Sequence, residues 1–293
     1  MHQPLALVIV TLLLLAGCAG TAGEDELDVP DVTVGASDGN DAAPEIPGTA
    51  VAAPNGDLWL PAPGTTWQWQ LDELPLDTTV DVDVYDIDLF ETAPSLVADL
   101  HADGRFAICY ISVGSWEEWR PDASAFPEAV IGSAYDGWEG ERWLDIRAID
   151  ALAHVMLPRL DMCRDKGFDG VEPDNIDGYD NETGFDLTYD DQLRFNRWLA
   201  DEAHARGLSI GLKNDADQVD DLLGHFDWAL TEDCFDEGWC GDVSAFVESG
   251  RAVFAAEYTD TGITLDSICA AAGPLRIDAI LKNRELDRFV EAC

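Results

Sequence analysis

Polar residues close one apolar run after another in this chain. Tyr85-Asp86-Ile87-Asp88 closes one run and Ser112-Val113-Gly114-Ser115-Trp116-Glu117 the next, while Gly170-Val171-Glu172 leads directly into Pro173-Asp174-Asn175-Ile176-Asp177-Gly178-Tyr179. Three further runs stop at Lys213-Asn214-Asp215, Thr231-Glu232-Asp233 and Glu257-Tyr258. If strands deliver these side chains to one mouth, a pair of carboxylates can break an acetal. One protonates the departing oxygen and the other attacks the carbon or activates water.

The sequence holds 59 acids, so carboxylates after apolar runs also arise by chance. Glu117, Glu118, Asp215 and Asp233 fit a solvated face. Glu172, Asp174 and Asp177 do not, because they begin inside an apolar run and sit among Asn175, Gly178 and Tyr179. Carboxylates taken out of water are costly unless they are paired or used. Lys213 is one of only three lysines, with Lys166 and Lys282. Its position leaves a structural ion pair and a substrate contact equally open, and in either role it holds nearby carboxylates ionised. Trp67, Trp69, Tyr110, Trp116, Trp119, Trp138, Trp143, Tyr179 and Tyr258 fall at or near run ends, where flat faces stack on sugar rings, and core or rim packing accounts for about half of such residues.

Other chemistries fit poorly. Taking Gly178 as the sixth position of a calcium loop puts Pro173 at the first and Gly184 at the twelfth, so both defining ligands fail. Asp81 and Asp83 lie on one face of a strand and Asp86 and Asp88 on the other, which scatters a would-be metal cluster. There is no G-x-S-x-G element for a serine nucleophile. No metal or cofactor is expected.

The elements that must position these residues alternate. Short apolar runs at Trp67–Leu71, Val82–Ile87, Phe106–Val113, Gly170–Glu172, Leu208–Leu212, Trp228–Thr231, Ala252–Ala256 and Ile277–Leu281 predict eight strands. Amphipathic stretches between them predict helices, two of which stop at Gly167 and Gly207. This is an α/β pattern with parallel strands and right-handed crossovers. Eight strands point to a closed (β/α)8 TIM barrel, whose chemistry sits at the carboxyl ends of the strands. An open doubly wound sheet is the alternative, but no G-x-G-x-x-G follows the first strand.

The ends suggest export. Residues 5–16 are apolar, too short to span a bilayer, and lead into Leu15-Ala16-Gly17-Cys18, the order of a bacterial lipobox, although Met1-His2-Gln3-Pro4 carries no Lys or Arg. The expected organisation is a lipoprotein signal peptide over 1–17, lipidation at Cys18, a flexible acidic linker over 18–63, and a single domain over 64–293. Ala19 lacks the Asp that favours inner-membrane retention, so anchoring to the outer membrane or cell surface is expected, or secretion if Cys18 is not lipidated. The six remaining cysteines allow fifteen pairings. Proximity favours Cys234–Cys240 and Cys269–Cys293, leaving Cys109 with Cys163. Zinc would need a C-x-x-C pair or suitably spaced His, and neither is present.

The formal charge is -43, from 16 Lys+Arg against those 59 acids, and no Lys or Arg precedes Arg105. Such a surface repels phosphate backbones and anionic membranes, so nucleic acid is excluded as a partner. With 47% hydrophobic residues the chain has enough apolar content for a packed core.

The segments AICYISVGSWEEWRPD, GWEGERWLDIR, KGFDGVEPDNIDGYDNETGF, GLSIGLKND, and WALTEDC followed by AVFAAEY resemble glycoside hydrolase family 114, the endo-α-1,4-polygalactosaminidases and spherulin-4-like proteins. The resemblance runs from about Trp67 to Cys293 and centres on the PDN-x-D-G-Y element. It implies a (β/α)8 barrel acting on galactosamine-containing polysaccharide, with Asp174 and Glu232 as the catalytic pair. By analogy with retaining barrel enzymes, Asp174 is the nucleophile and Glu232 the acid/base. The resemblance also implies that Asp86, Tyr110, Glu172, Asn175, Asp177, Lys213, Asn214, Glu257 and Tyr258 line the substrate cleft. Glu172 stands where relatives often carry Asp, which makes it the rival to Asp174.

The expected partner is a cationic or partly N-acetylated galactosamine polymer, with membrane contact only through Cys18 and a monomeric barrel. Deacetylated galactosamine is cationic near neutral pH, so the acidity has a use in capture; a saline habitat would select the same composition. A non-hydrolytic glycan-binding lipoprotein, or a hydrolase of another amino sugar or galactose polymer, are the alternative readings.

Overall fold

The computed structural model describes residues 58–293. The expected signal peptide, Cys18 and the linker up to residue 57 lie outside the described residues. Residues 58–63, assigned to the linker on composition, belong with the barrel instead. Trp59 stacks on Phe106 with ring centroids 5.1 Å apart, and the Pro61 carbonyl accepts from Ala252 N at 2.9 Å.

Eight parallel strands form the barrel: β1 Trp67–Gln70, β2 Val84–Asp88, β3 Phe106–Ser112, β4 Gly170–Asp174, β5 Ser209–Lys213, β6 Trp228–Glu232, β7 Val253–Tyr258 and β8 Asp278–Lys282. They hydrogen-bond in that order. All eight correspond to the predicted runs, most ending one or two residues later than the apolar pattern does. The polar residue at each end is still in the ladder, so the apolar pattern stops before the strand does.

Side chains alternate between two faces. Trp67, Trp69, Val84, Ile108, Trp228, Leu230, Phe254, Ala256, Tyr258 and Ile280 pack as one buried cluster inside the barrel. Each large side chain there contributes roughly 1.5–3 kcal/mol by leaving water. Trp228 fits because its register partner on the adjacent strand, Gly211, has no side chain; a Cβ there would lie 2.2 Å from the indole. The intervening residues, such as Cys109, Ile111, Val171, Ile210, Leu212 and Ala255, join the larger core under the helices.

The helix layer includes α1 Pro94–Ala102, α2 Ile149–Lys166, α3 Tyr189–His204, α4 Val219–Leu222, α5 Cys234–Glu237, α6 Ser244–Glu248 and α7 Leu265–Leu275. Gly167 ends α2 in the left-handed conformation (φ 92°), where a Cβ would be strained. Thr188 and Asp191 cap α3 reciprocally, each accepting from the backbone of the other.

Two connections depart from the alternating plan. The chain crosses from β1 to β2 through residues 71–83 without a helix. Between β3 and α2 it adds a three-stranded antiparallel sheet, Ser115–Glu117, Ile131–Ala134 and Glu141–Leu144, with the last strand in the middle. Strands of three or four residues are too short to leave a periodic signal.

The seam between β8 and β1 is bridged by side chains and by the chain after β8. Trp67 Nε1 donates to Asp278 O at 2.8 Å, Leu71 N to Leu286 O at 2.9 Å, and Lys282 Nζ to Gln68 Oε1 at 3.1 Å. The disulfides among the described residues are the two that proximity favours and the one that they leave. Cys109–Cys163 staples β3 to α2, Cys234–Cys240 clips the loop after β6, and Cys269–Cys293 ties the C-terminus to α7.

Candidate active site

Because Trp69 and Leu230 face inward, so do Asp86, Tyr110, Glu172, Asp174, Lys213, Glu232 and Tyr258, which share their parity on the strands. The turns that follow are tightly bent. Asn175 (φ 65°), Asn214 (φ 53°) and Asp233 (φ 54°) occupy left-handed backbone directly after Asp174, Lys213 and Glu232. Asn and Asp tolerate that conformation best among residues with side chains, and such strain concentrates at functional sites.

Lys213 is the hub. Its ammonium donates to Glu172 Oε1 and Asp174 Oδ1, each at 2.8 Å, and lies 3.0 Å from Glu232 Oε2. It also sits 4.6 Å from the centroid of the Trp69 ring, an added cation–π contact. Tyr110 Oη donates to Asp174 Oδ2 at 2.9 Å, so both oxygens of Asp174 are held. Glu232 accepts from Tyr258 Oη on one oxygen and from Asn214 Nδ2, at 3.2 Å, on the other. Asn214 Oδ1 in turn accepts from Glu232 N at 2.9 Å, which locks the two residues together. Burial alone would push the Glu232 carboxyl up, but Lys213, Tyr258 and Asn214 outweigh it and hold it below the usual carboxylate range.

A cavity of about 420 Å³ opens above this cluster, with Asp174, Asp177, Lys213, Asn214, Glu232 and Tyr258 on its wall. The inserted sheet covers one side with Trp119, Tyr135, Trp138 and Glu141; Trp119 and Trp138 are both half exposed. Nine acids line the cavity against three cations, Arg120, Lys213 and Arg284. All three cations are already paired, Arg120 with Asp88 and Glu117 at 2.7 Å each and Arg284 with Asp233 at 2.9 Å and Asp260 at 2.7 Å. The surplus of negative charge therefore belongs to the open space. Asp177 is pushed up to about 6 by burial and then by Asp174, and Glu141 to about 7 mainly by burial.

Several expected cleft residues stand elsewhere. Glu257 points out of the barrel, because its neighbour Tyr258 points in; its carboxylate accepts from Phe235 N at 2.8 Å and Asp236 N at 3.1 Å in the loop after β6. Cys234 and Cys240 approach it at ligand distance, but their sulfurs are joined in a disulfide and are not thiolates. Asp86 and Glu172 face inward yet lie wholly buried below the cavity floor. Asn175 reaches the wall, but its amide donates to Ser112 Oγ at 3.0 Å, Ser115 Oγ at 3.1 Å and Glu141 Oε1 at 3.1 Å, which commits it to holding the inserted sheet.

Two acids expected on a solvated face are buried. Glu117 pairs with Arg120, and Asp215 accepts from Asn196 Nδ2 at 2.9 Å. Glu118 is exposed as expected. Among the cavity residues that sequence reasoning passed over, Glu141 and Arg120 come from the insertion and Arg284 from the chain after β8. An acid embedded in Glu141-Arg142-Trp143-Leu144 was the available signal for the first.

The family model for glycoside-hydrolase family GH114 matches residues 48–293. The crystal structure of Ega3 from Aspergillus fumigatus, in complex with galactosamine, is 42% identical, covers 82% of this chain and 99% of that one, and superposes with a TM-score of 0.77. The glycoside hydrolase domain of PelA from Pseudomonas aeruginosa is 17% identical over 78% of this chain and 98% of that one, with a TM-score of 0.61, a likeness of fold. No curated protein sequence matches the chain.

Proposed function

The chain belongs to glycoside hydrolase family GH114, and from that premise we propose that it is an endo-acting hydrolase of α-1,4-linked galactosamine polymers, partly N-acetylated or free. One observation carries the mechanism: Asp174 and Glu232 share the Lys213 ammonium at the carboxyl end of the barrel. Their nearest oxygens lie 2.8 Å and 3.0 Å from one nitrogen, so they cannot be farther apart than the sum of those distances. That supports the short spacing of retaining enzymes, about 5–5.5 Å, over the roughly 6.5–9.5 Å that inversion needs to admit a water.

In this mechanism Asp174, held by Tyr110 and Lys213, attacks the anomeric carbon while Glu232 protonates the departing oxygen. Glu232 then takes a proton from the water that releases the sugar from Asp174. Lys213 keeps the two carboxylates at their working separation. The nine acids of the cavity, together with the galactosamine bound by a 42% identical relative, support an amino sugar as substrate. Trp119 and Trp138 offer faces for neighbouring rings.

The test is product analysis on partly and fully deacetylated galactosamine and glucosamine polymers. Galactosamine polymers are expected to yield short oligosaccharides with new reducing ends, and Asp174→Asn and Glu232→Gln to slow this at least ~10³-fold. Near-wild-type rates in either variant remove that residue from the mechanism. Binding without new reducing ends would make the protein a glycan-binding barrel, and cleavage of another polymer alone would change the substrate.

Three disulfides support an oxidising destination outside the cytoplasm. The proposed mature protein is a monomeric barrel tethered through an acylated Cys18 and an acidic linker. Mass spectrometry that finds the mature N-terminus elsewhere would reject the anchor.

A further inference from the structure

Asp86 and Glu172 lie below the cavity floor, both with no exposed surface. Neither oxygen of Asp86 has a donor among the described residues, and Glu172 Oε2 has none either, Oε1 being taken by Lys213. Both side chains turn inward from the strands that flank β3, Asp86 level with Ile108 and Glu172 level with Tyr110, and the two carboxyl groups interact there. Two ionised carboxylates cannot satisfy each other, since both only accept. A single proton turns one of the orphaned acceptors into a donor and satisfies the other.

We propose that Asp86 is held as the neutral acid and donates a hydrogen bond from its carboxyl O–H to Glu172 Oε2, making Asp86 a positioning residue for Lys213. The charged groups around the pair fix which carboxyl keeps the proton. Burial pushes Glu172 up, but the Lys213 ammonium at 2.8 Å opposes that push and leaves it at about 7, whereas Asp86 on β2 has no ion pair among the described residues and faces Glu172 and Asp174 of β4. Burial, and then Glu172, push Asp86 well above the usual carboxylate range, in the same direction as the geometry.

The consequence runs upward. Anchored from beneath, Glu172 draws on Lys213 from one fixed side, and the ammonium stays within 2.8 Å of Asp174 and 3.0 Å of Glu232. An ionised Asp86 would compete for the same ammonium from below. Four acids then contend for one cation, and the cation leaves the mouth.

Infrared difference spectroscopy of wild type against Asp86→Asn, at about pH 7 and without substrate, tests the protonation. The carbonyl stretch of a neutral carboxylic acid is expected in the wild type and lost in Asp86→Asn; if the two spectra match in that region, the proposal fails. The kinetic arm rests on Asp174 and Glu232 being the reacting pair. Asp86→Ala is expected to lower kcat ~10²-fold with little change in KM, the scale of a misplaced site. Asp86→Asn, whose amide still donates to Glu172, recovers most of that loss. Equal kcat in the two variants overturns the positioning role. If Asp86→Ala does not fold, or the protein cleaves none of the polymers, the spectral comparison still decides, because it needs neither.

Discussion

Lys213 Nζ stands 2.8 Å from Asp174 Oδ1, on the strand beside it, with both side chains turned into the barrel mouth. The same ammonium contacts Glu172 and Glu232 and is itself almost fully buried, so three carboxylates depend on one cation. Replacing Lys213 by Met leaves those charges without a counter-ion. Removing one partner of a buried pair costs about 3–5 kcal/mol, which urea denaturation of Lys213→Met near neutral pH should register together with loss of activity. The deficit should shrink as the pH falls and the stranded carboxylates take up protons. A variant as stable as wild type would mean that the ion pairs repay no more than their own desolvation.

Asp177 changes charge in mild acid. Burial and Asp174 lift it to about 6, so it is neutral below that pH and negative above it. On a cationic polymer, KM should therefore fall as the pH rises through 6, and Asp177→Asn should remove this dependence. A charge-assisted contact of about 1.5 kcal/mol corresponds to roughly tenfold in KM. An unchanged slope in Asp177→Asn would place the amine elsewhere in the cavity.

Glu232 makes the opposite demand. As the proposed acid of the first step it must carry a proton, yet Lys213, Tyr258 and Asn214 hold it below the usual range. The protonated fraction of free enzyme falls with rising pH, so kcat/KM measured in the Asp177→Asn background should decline by up to about tenfold per unit above the pKa of Glu232. A kcat/KM that climbs over the same interval would reverse the roles and make Glu232 the nucleophile.

The barrel was legible because each inner strand carries a continuous apolar run between turn residues, and an all-parallel sheet is buried on both faces. The floor of the site was legible in part. Asp174, Lys213 and Glu232 end strands at the same parity, which composition does not reveal but alternation does. Alternation also explains the failure at Glu257: side by side with Tyr258 on one strand, only one of the two can face inward, and Tyr258 does. Asp86 and Glu172 have the right parity but the wrong depth, since height within a barrel depends on strand stagger. Glu117 and Asp215 look solvated in sequence because their partners, Arg120 and Asn196, come from a turn and a distant helix. The inserted sheet, with strands of three and four residues, is fixed by tertiary contacts such as those of Asn175.

Asp215 gives a stability prediction whose sign differs from that of an ordinary ion-paired acid. It is nearly fully buried, one of its oxygens has no partner among the described residues, and Asp177 and Asp217 add to the effect of burial in lifting it to about 9. A folded-state pKa above the unfolded value means that the fold prefers the neutral form. The stability this brings is complete below the ordinary aspartate range, near 3.8, and is lost progressively as the pH rises toward 9. Asp215→Asn supplies the neutral form at every pH, retains an acceptor for Asn196, and tolerates the left-handed backbone at this position (φ 38°). Thermal unfolding should find the variant close to wild type in acid and more stable at about pH 8, with roughly 2–4 °C in Tm for each kcal/mol gained. A wild type that is the more stable protein in mild alkali would show that Asp215 is ionised and satisfied where it stands.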